Sequence, residues 1–103
     1  MRRIAVLLVC LCWGVGLAQA ADVARGRAFA RSHCARCHAI DRTSASPFAP
    51  APPFRTLHLR YPVESLEEAL AEGIVVGHPR MPEFVLQPDQ IADFIAFLKS
   101  LEK

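Results

Sequence analysis

The sequence predicts a small all-α domain. Apolar residues recur at helical spacing in several segments, and no segment shows the alternating apolar and polar pattern of a half-buried strand. Two irregular stretches rich in proline separate the helical segments, TSASPFAPAPPF over residues 43–54 and IVVGHPRMPEF over residues 74–84. We therefore expect three to four helices joined by long proline-rich loops.

The first 20 residues predict an export signal. Arg2 and Arg3 form a basic start, residues 4–17 are apolar apart from two glycines, and Ala18-Gln19-Ala20 gives the small-x-small pattern of a cleavage site. The alternative is a retained membrane anchor, but a spanning helix needs about 20 apolar residues, and this run reaches that length only if the cleavage region is counted. We expect cleavage after Ala20 and one domain over residues 21–103.

Removal of the signal changes the composition. Cys10 and Cys12 are lost with it, so Cys34 and Cys37 are the two cysteines of the mature chain. The mature chain has ten basic and ten acidic side chains, which gives nucleic-acid binding no support. A domain of this size buries a thin core and is commonly stabilised by a disulfide, a metal or a cofactor.

The first helix is predicted over residues 22–36, with Asp22 as its N-cap. A second helix is predicted over residues 62–72, where Ser65 and Glu68 have the spacing of a capping box and Gly73 ends the helix. Residues 74–76 fit either a short strand or a helix end.

The last helix has the strongest pattern. Pro88 lies near its first turn, and the residues that follow form one apolar stripe. The stripe consists of Ile91, Phe94, Ile95, Leu98 and Leu101.

The stretch HCARCHAI, residues 33–40, carries the chemistry. Cys34, Cys37 and His38 form a CxxCH motif. One alternative is a structural zinc site, but such a site needs four ligands, and a second ligand pair at finger spacing is absent from the sequence. The other alternative is a redox CxxC or a plain disulfide, although the redox motif normally follows a strand. In an exported helical chain the motif predicts haem c, bound by two thioether links from the cysteines and by the histidine on the iron.

We expect Met81 to be the second axial ligand of the iron. It is the one methionine outside the predicted signal, and it stands in a loop between Pro79 and Pro82, whereas a core-filling methionine is expected on an apolar helix face. Thioether ligation is a recurring haem arrangement. His78 is the main rival ligand, and His33 and His58 are weaker ones.

The order GRAFARSHCARCHAI, a proline-rich loop, HPRMPEF and QIADFIAFLKSLEK resembles small bacterial class I cytochromes c over essentially the whole mature chain. The resemblance implies three to four helices wrapped around one covalently bound haem. It implies that the first and last helices cross at Gly26, with Phe94 and Phe97 packing there. It also implies that a loop proline offers its carbonyl to the proximal imidazole, Pro53 in our assignment and Pro52 as its alternative.

We therefore expect a periplasmic electron-transfer protein and not an enzyme, with iron ligated by His38 and Met81. The alternatives are a dedicated subunit of an oxidoreductase complex and a five-coordinate gas-binding haem protein. Redox proteins are the expected partners of a monomer that keeps no membrane span after cleavage.

Two further features bear on this function. Residues 21–60 carry a net charge of +5 and residues 61–103 carry −5, a dipole that suits steering toward an acidic partner. Arg55, Arg60 and Tyr61 are candidates for binding a haem propionate. The expected apolar pocket consists of Phe29, Phe48, Phe54, Leu57, Leu66, Val76, Phe84, Ile91 and Phe94.

Overall fold

The computed structural model describes residues 14, 20–74 and 80–103. Three α-helices run over Val23–His33 (α1), Leu66–Glu72 (α2) and Pro88–Ser100 (α3). Two 3₁₀ helices, Phe54–Leu59 and Val63–Ser65, lie between α1 and α2. The described ranges contain no β-strand and no helix long and apolar enough to cross a membrane, and the predicted signal lies almost wholly outside them.

Helix α1 begins as predicted. The Asp22 side chain accepts a hydrogen bond from the Arg25 backbone N–H at 2.9 Å and so caps one of the free amides of the first turn. Helix α1 ends at His33, three residues earlier than predicted, because the chain passes into a series of turns at Cys34.

The region of α2 differs from the prediction at its start. A 3₁₀ turn over Val63–Ser65 precedes α2, and Ser65 already has helical backbone angles. Its side chain therefore makes no capping hydrogen bond, and the predicted capping box of Ser65 and Glu68 is wrong. The predicted end at Gly73 is confirmed, because its φ of +111° is one that other residues rarely adopt.

Helix α3 forms as its apolar stripe predicts. Pro88 occupies the first turn, and the Gln87 and Gln90 side chains complete a capping box that was not predicted. Every residue of the predicted stripe is buried, and Phe97 is fully buried beside it. The larger core cluster is Ala30, Phe54, Leu57, Val63, Leu70, Leu86, Ile91, Phe94, Ile95, Phe97, Leu98 and Leu101.

Helices α1 and α3 cross in close contact at Gly26. A Cβ atom at this position would lie 2.7 Å from the Phe97 Cβ atom and 2.7 Å from the Asp93 carbonyl carbon. Real Cβ atoms essentially never lie within 3.0 Å of such neighbours, so only glycine lets the two backbones approach as they do. The expected close approach at Gly26, with Phe97 on the other side, is confirmed.

A polar network ties the start of α1 to α3. The Asp93 carboxylate accepts hydrogen bonds from the Asp22 backbone N–H at 2.8 Å and from Arg25 Nε at 2.9 Å. Both bonds lower the pKa of Asp93, with the Arg25 side chain as the largest cause, and the bond to the Asp93 carboxylate raises the pKa of Arg25. The network fixes α1 against α3 and so fixes where α1 delivers the cysteine motif.

Candidate haem-binding site

The cysteine motif lies in a tight turn that continues α1. The Cys34 N–H donates to the Ala30 carbonyl at 2.8 Å, and the Cys37 and His38 N–H groups both donate to the Cys34 carbonyl, at 3.1 and 2.9 Å. Three functional side chains are thus held within one turn of hydrogen-bonded backbone. The two thiols and the imidazole therefore follow directly after the C-terminal end of α1, and α1 itself packs against the core.

The two cysteines are free and half-buried. Burial raises the pKa of the Cys34 thiol to about 11. A redox-active CxxC needs a thiol with a lowered pKa, so this environment does not suit a thiol–disulfide switch. It suits a thiol packed against an apolar partner, and Cys34 does pack against the core cluster.

Zinc has no support in the described part of the chain. No group of three or more His, Cys, Asp or Glu side chains lies close enough together there to hold a metal ion. A structural zinc site needs four protein ligands. Among residues 20–74 and 80–103 the motif therefore has no further ligands that would make it half of such a site.

The His38 imidazole is oriented by a backbone carbonyl. Its Nδ1 atom lies 2.8 Å from the carbonyl oxygen of Pro52. A carbonyl can only accept, so Nδ1 carries the hydrogen and Nε2 keeps the lone pair that binds a metal. A carbonyl that accepts the hydrogen bond from Nδ1 fixes the orientation of the ring and makes Nε2 a stronger ligand for iron.

The choice of Pro53 for this role is wrong, and its alternative Pro52 fills it. Pro53 precedes the 3₁₀ helix Phe54–Leu59 as its N-cap residue. Its carbonyl accepts the Thr56 backbone N–H at 3.0 Å and the Thr56 hydroxyl at 2.7 Å. The carbonyl of Pro53 is thus directed into the helix that follows, and the carbonyl one residue earlier faces His38.

Phe54 completes the setting of the imidazole. Its ring lies 4.7 Å from the His38 ring, centroid to centroid, at an interplanar angle of 32°. Its backbone N–H donates to the Ala39 carbonyl at 3.0 Å, which ties the segment after the prolines to the segment after the motif. Phe94 packs edge-on against Phe54 at 5.7 Å and against Phe29 at 5.9 Å, so an aromatic cluster stands behind the imidazole.

Met81 is half-buried in an irregular segment, residues 80–87, that returns to the core. On one side of Met81, the Arg80 guanidinium lies over the Phe48 ring at 5.3 Å. On the other side, Phe84 packs edge-on against His33 at 6.1 Å. Phe48 donates its backbone N–H to the Cys37 carbonyl at 3.1 Å, and His33 adjoins Cys34. The segment containing Met81 therefore contacts the surroundings of the cysteine motif on both sides.

The other predicted residues are placed as follows. His78 and Val76 lie outside the described residues. His33 is exposed and stacks on Phe29 at 4.5 Å. The Nδ1 atom of His58 is buried and has no hydrogen-bond partner among the described residues. Arg55 donates to the Ser44 carbonyl at 2.6 Å, while Arg60 and Tyr61 are exposed.

Most of the predicted apolar pocket is confirmed as interior. Phe54, Leu57, Ile91 and Phe94 belong to the core cluster, and Phe29, Leu66 and Phe84 pack against it. Phe48 is half-buried in the proline-rich loop.

The family model for cytochrome c matches residues 23–102 of this chain. The chain belongs to the cytochrome c family. It is also 34% identical over 84 residues to cytochrome c-552 of Bradyrhizobium diazoefficiens, an alignment that covers 82% of this chain and 79% of that protein. No solved structure matches the chain.

The family assignment makes the chain a small class I cytochrome with one covalently bound haem c. The residues present fit that group. Two free thiols stand in the CxxCH spacing, and the imidazole directly after them keeps its Nε2 lone pair available. Haem-based electron transfer is the function of the cytochrome.

Proposed function

We propose that this cytochrome is an exported one-electron carrier whose haem is attached through Cys34 and Cys37 and whose iron is ligated by His38 and Met81. The single observation that carries the proposal is the 2.8 Å hydrogen bond from His38 Nδ1 to the Pro52 carbonyl. This bond commits one ring nitrogen and leaves Nε2 as a metal ligand, directly after the two attachment cysteines.

The contacts on either side of Met81 support its role as the second ligand. Arg80 reaches Phe48, and Phe84 reaches His33, so the loop is held to the attachment segment at two points that flank Met81. Backbone hydrogen bonds from Leu86 N–H to the Leu70 carbonyl at 2.8 Å and from Ile74 N–H to the Phe84 carbonyl at 3.3 Å return the loop to α2. A thioether on this loop would be held in place by the fold and not by its own flexible chain.

Each residue then has a defined task. The haem supplies reversible one-electron chemistry at its iron. His38 and Met81 would hold the iron, with the direction of the His38 ring set by the Pro52 carbonyl and the Phe54 ring. Buried Phe54, Leu57 and Phe94 exclude water, and an apolar surround together with a thioether ligand favours the reduced state and raises the potential.

With both His38 and Met81 as its ligands, the iron would have no place left for a substrate, which suits an electron carrier and not an enzyme. Residues 21–60, the part of the chain that contains the attachment motif, carry a net charge of +5, which would favour an acidic redox protein as partner. Export follows from the signal pattern of residues 1–20, and attachment of haem c would then take place in the periplasm, where we propose the carrier works as a monomer.

Potentiometry of two alanine variants tests the ligand assignment. Met81→Ala should open the distal side of the iron, lower the midpoint potential and allow carbon monoxide to bind the ferrous protein. His78→Ala removes the rival ligand, and Val85→Ala, at an exposed position of the same loop, is the matched control. Both should leave the potential and the resistance to carbon monoxide unchanged. If His78→Ala opens the site and Met81→Ala does not, His78 is the ligand.

The attachment residues need a separate test. Cys37→Ser should sharply reduce the yield of red holoprotein, because one thioether link is lost, whereas Ser46→Ala in the adjoining loop should affect it far less. A normal yield of covalently attached haem from Cys37→Ser would contradict attachment through Cys37.

A further inference from the structure

Three arginines surround an open cavity on the side of α1 that faces away from the aromatic cluster. The cavity has a volume of about 370 Å³. Arg27 and Arg31 stand one turn apart on α1, and Arg42 belongs to the loop after the cysteine motif. The remaining lining residues are Ile40, Asp41 and Leu101.

The other side of α1 faces the candidate haem site. Gly26 and Ala30 form its buried line, Phe29 and His33 lie on one side of that line, and Arg27 and Arg31 lie on the other. The arginine cavity is therefore separate from the site of His38 and Met81.

The positive charge of this cavity is not neutralised within the described structure. Asp41 is the one acidic residue of the lining, but its two carboxylate oxygens already accept hydrogen bonds from Thr43 N–H at 3.0 Å and from the N–H and hydroxyl groups of Ser44 at 2.7 and 2.6 Å. The lining residues therefore carry three positive charges against one negative charge, and that carboxylate is already hydrogen-bonded within its own turn.

The three arginines differ in how far they are engaged. Arg42 donates to the Ser100 carbonyl at 2.6 Å and to the Lys103 carbonyl, which holds it at the end of α3. The Arg27 guanidinium carbon lies 5.6 Å from the centre of the Phe97 ring, a cation–π contact, and its N–H groups make no hydrogen bond to a described residue. The Arg31 side chain makes no hydrogen bond or ion pair with any described residue. The cavity is thus lined by two guanidinium groups with partners in the protein, those of Arg27 and Arg42, and by the unpartnered guanidinium group of Arg31.

We propose that this cavity binds a phosphate-type oxyanion. Guanidinium groups present paired N–H donors that match the oxygens of phosphate, and a doubly charged anion would offset the mutual repulsion of the three cations. Ile40 and Leu101 add an apolar edge, so a phosphate that carries an organic group also fits the chemistry. Free phosphate and a phospholipid headgroup offer the same recognition.

The first test is a thermal titration of the holoprotein. The unfolding midpoint is measured in rising phosphate against chloride at equal ionic strength, because a ligand that binds the native state raises the midpoint. Arg31→Gln should weaken phosphate binding by about tenfold or more, since it removes charged hydrogen-bond donors. The Arg31 side chain is not hydrogen-bonded or ion-paired to the described residues, so this variant should keep the wild-type midpoint in chloride.

Arg36→Gln provides the matched control. Arg36 is exposed, does not line the cavity and loses the same charge, so it should retain the phosphate response. An equal midpoint rise in wild type and Arg31→Gln, or no phosphate-specific rise in wild type, would overturn the proposal. Saturable shifts of the Arg31 Nε–H resonance with phosphate should accompany the rise, and an unmoved resonance would also overturn it.

Sedimentation with vesicles distinguishes the two sources of phosphate. Binding to phosphatidylglycerol vesicles but not to phosphatidylcholine vesicles, lost in Arg31→Gln and kept in Arg36→Gln, assigns the site to a lipid headgroup. A midpoint rise with free phosphate and no vesicle binding assigns it to a soluble anion.

Discussion

The crossing of α1 and α3 at Gly26 predicts that a better helix former will destabilise the protein. Alanine in place of glycine in a helix interior normally stabilises by up to about 1 kcal/mol. At Gly26 the added Cβ atom would lie 2.7 Å from the Phe97 Cβ atom and the Asp93 carbonyl carbon, and closer still to the Asp93 carbonyl oxygen. An ordinary contact between such atoms is about 3.5–4.0 Å, so the helices must separate by roughly 1 Å.

The loss of stability in Gly26→Ala depends on the packing that this separation of α1 and α3 disturbs. Ala30, Phe97 and Leu98 are completely buried next to the crossing, and two of the obstructing atoms belong to the Asp93 backbone, which cannot rotate away. Overpacking of a tight core costs about 1–3 kcal/mol, and the rigid neighbours place this case at the upper end. After the gain in helix propensity, we expect a net loss of about 2 kcal/mol.

Thermal unfolding of the holoprotein, followed by circular dichroism, measures this loss. For a domain of this size, about 2 kcal/mol corresponds to a midpoint lowered by roughly 8–16 °C. Ala28→Gly, at an exposed position of α1, isolates helix propensity and should cost about 1 kcal/mol. If Gly26→Ala raises the midpoint, helix propensity outweighs the contact and the close approach of the two helices is refuted.

The remaining predictions concern α3, its ion pair and the end of α2. Leu98→Ala should cost about 2–5 kcal/mol in chemical denaturation because Leu98 is completely buried, whereas the exposed Val85→Ala should change stability by less than about 0.5 kcal/mol. Asp93→Asn should lower the free energy of unfolding at neutral pH. The difference in unfolding free energy from wild type should vanish as the pH falls below the ordinary aspartate pKa of about 3.9 and through the lowered pKa of the folded state. A difference that does not depend on pH would refute this role for the carboxylate. Gly73→Ala should cost roughly 1–3 kcal/mol because φ is +111°, and an unchanged unfolding midpoint would contradict the strained backbone there.

Patterns that depend on neighbours in the chain predicted much of the fold. The Asp22 cap, the glycine that ends α2 and the apolar stripe of α3 each follow from side chains within a turn of one another. The 3₁₀ helix Phe54–Leu59 was not predicted, because Pro52 and Pro53 directly before it, together with the lack of a helical apolar stripe, are typical of a loop. Its stability comes from Phe54 and Leu57, which are buried in the core made by other elements.

The choice between Pro52 and Pro53 shows where local reasoning fails. Both carbonyls are available in the sequence, and the direction of each depends on where the next helix begins. Thr56 gives a signal that was overlooked, since a hydroxyl three residues after Pro53 can hold that proline's carbonyl at a helix start. The arginine cavity could not be predicted either, because Arg42 and Leu101 approach α1 only after the chain has folded.

Absorption spectra test the proposed haem site most directly. The protein is exported together with cytochrome c maturation machinery, and oxidised and reduced spectra are recorded. We expect sharp low-spin ferrous bands and the weak long-wavelength ferric band of methionine sulfur on iron, lost in Met81→Ala. A low-spin ferric spectrum without that band, or a high-spin one, would contradict ligation by Met81, and a colourless product would contradict haem attachment at Cys34 and Cys37.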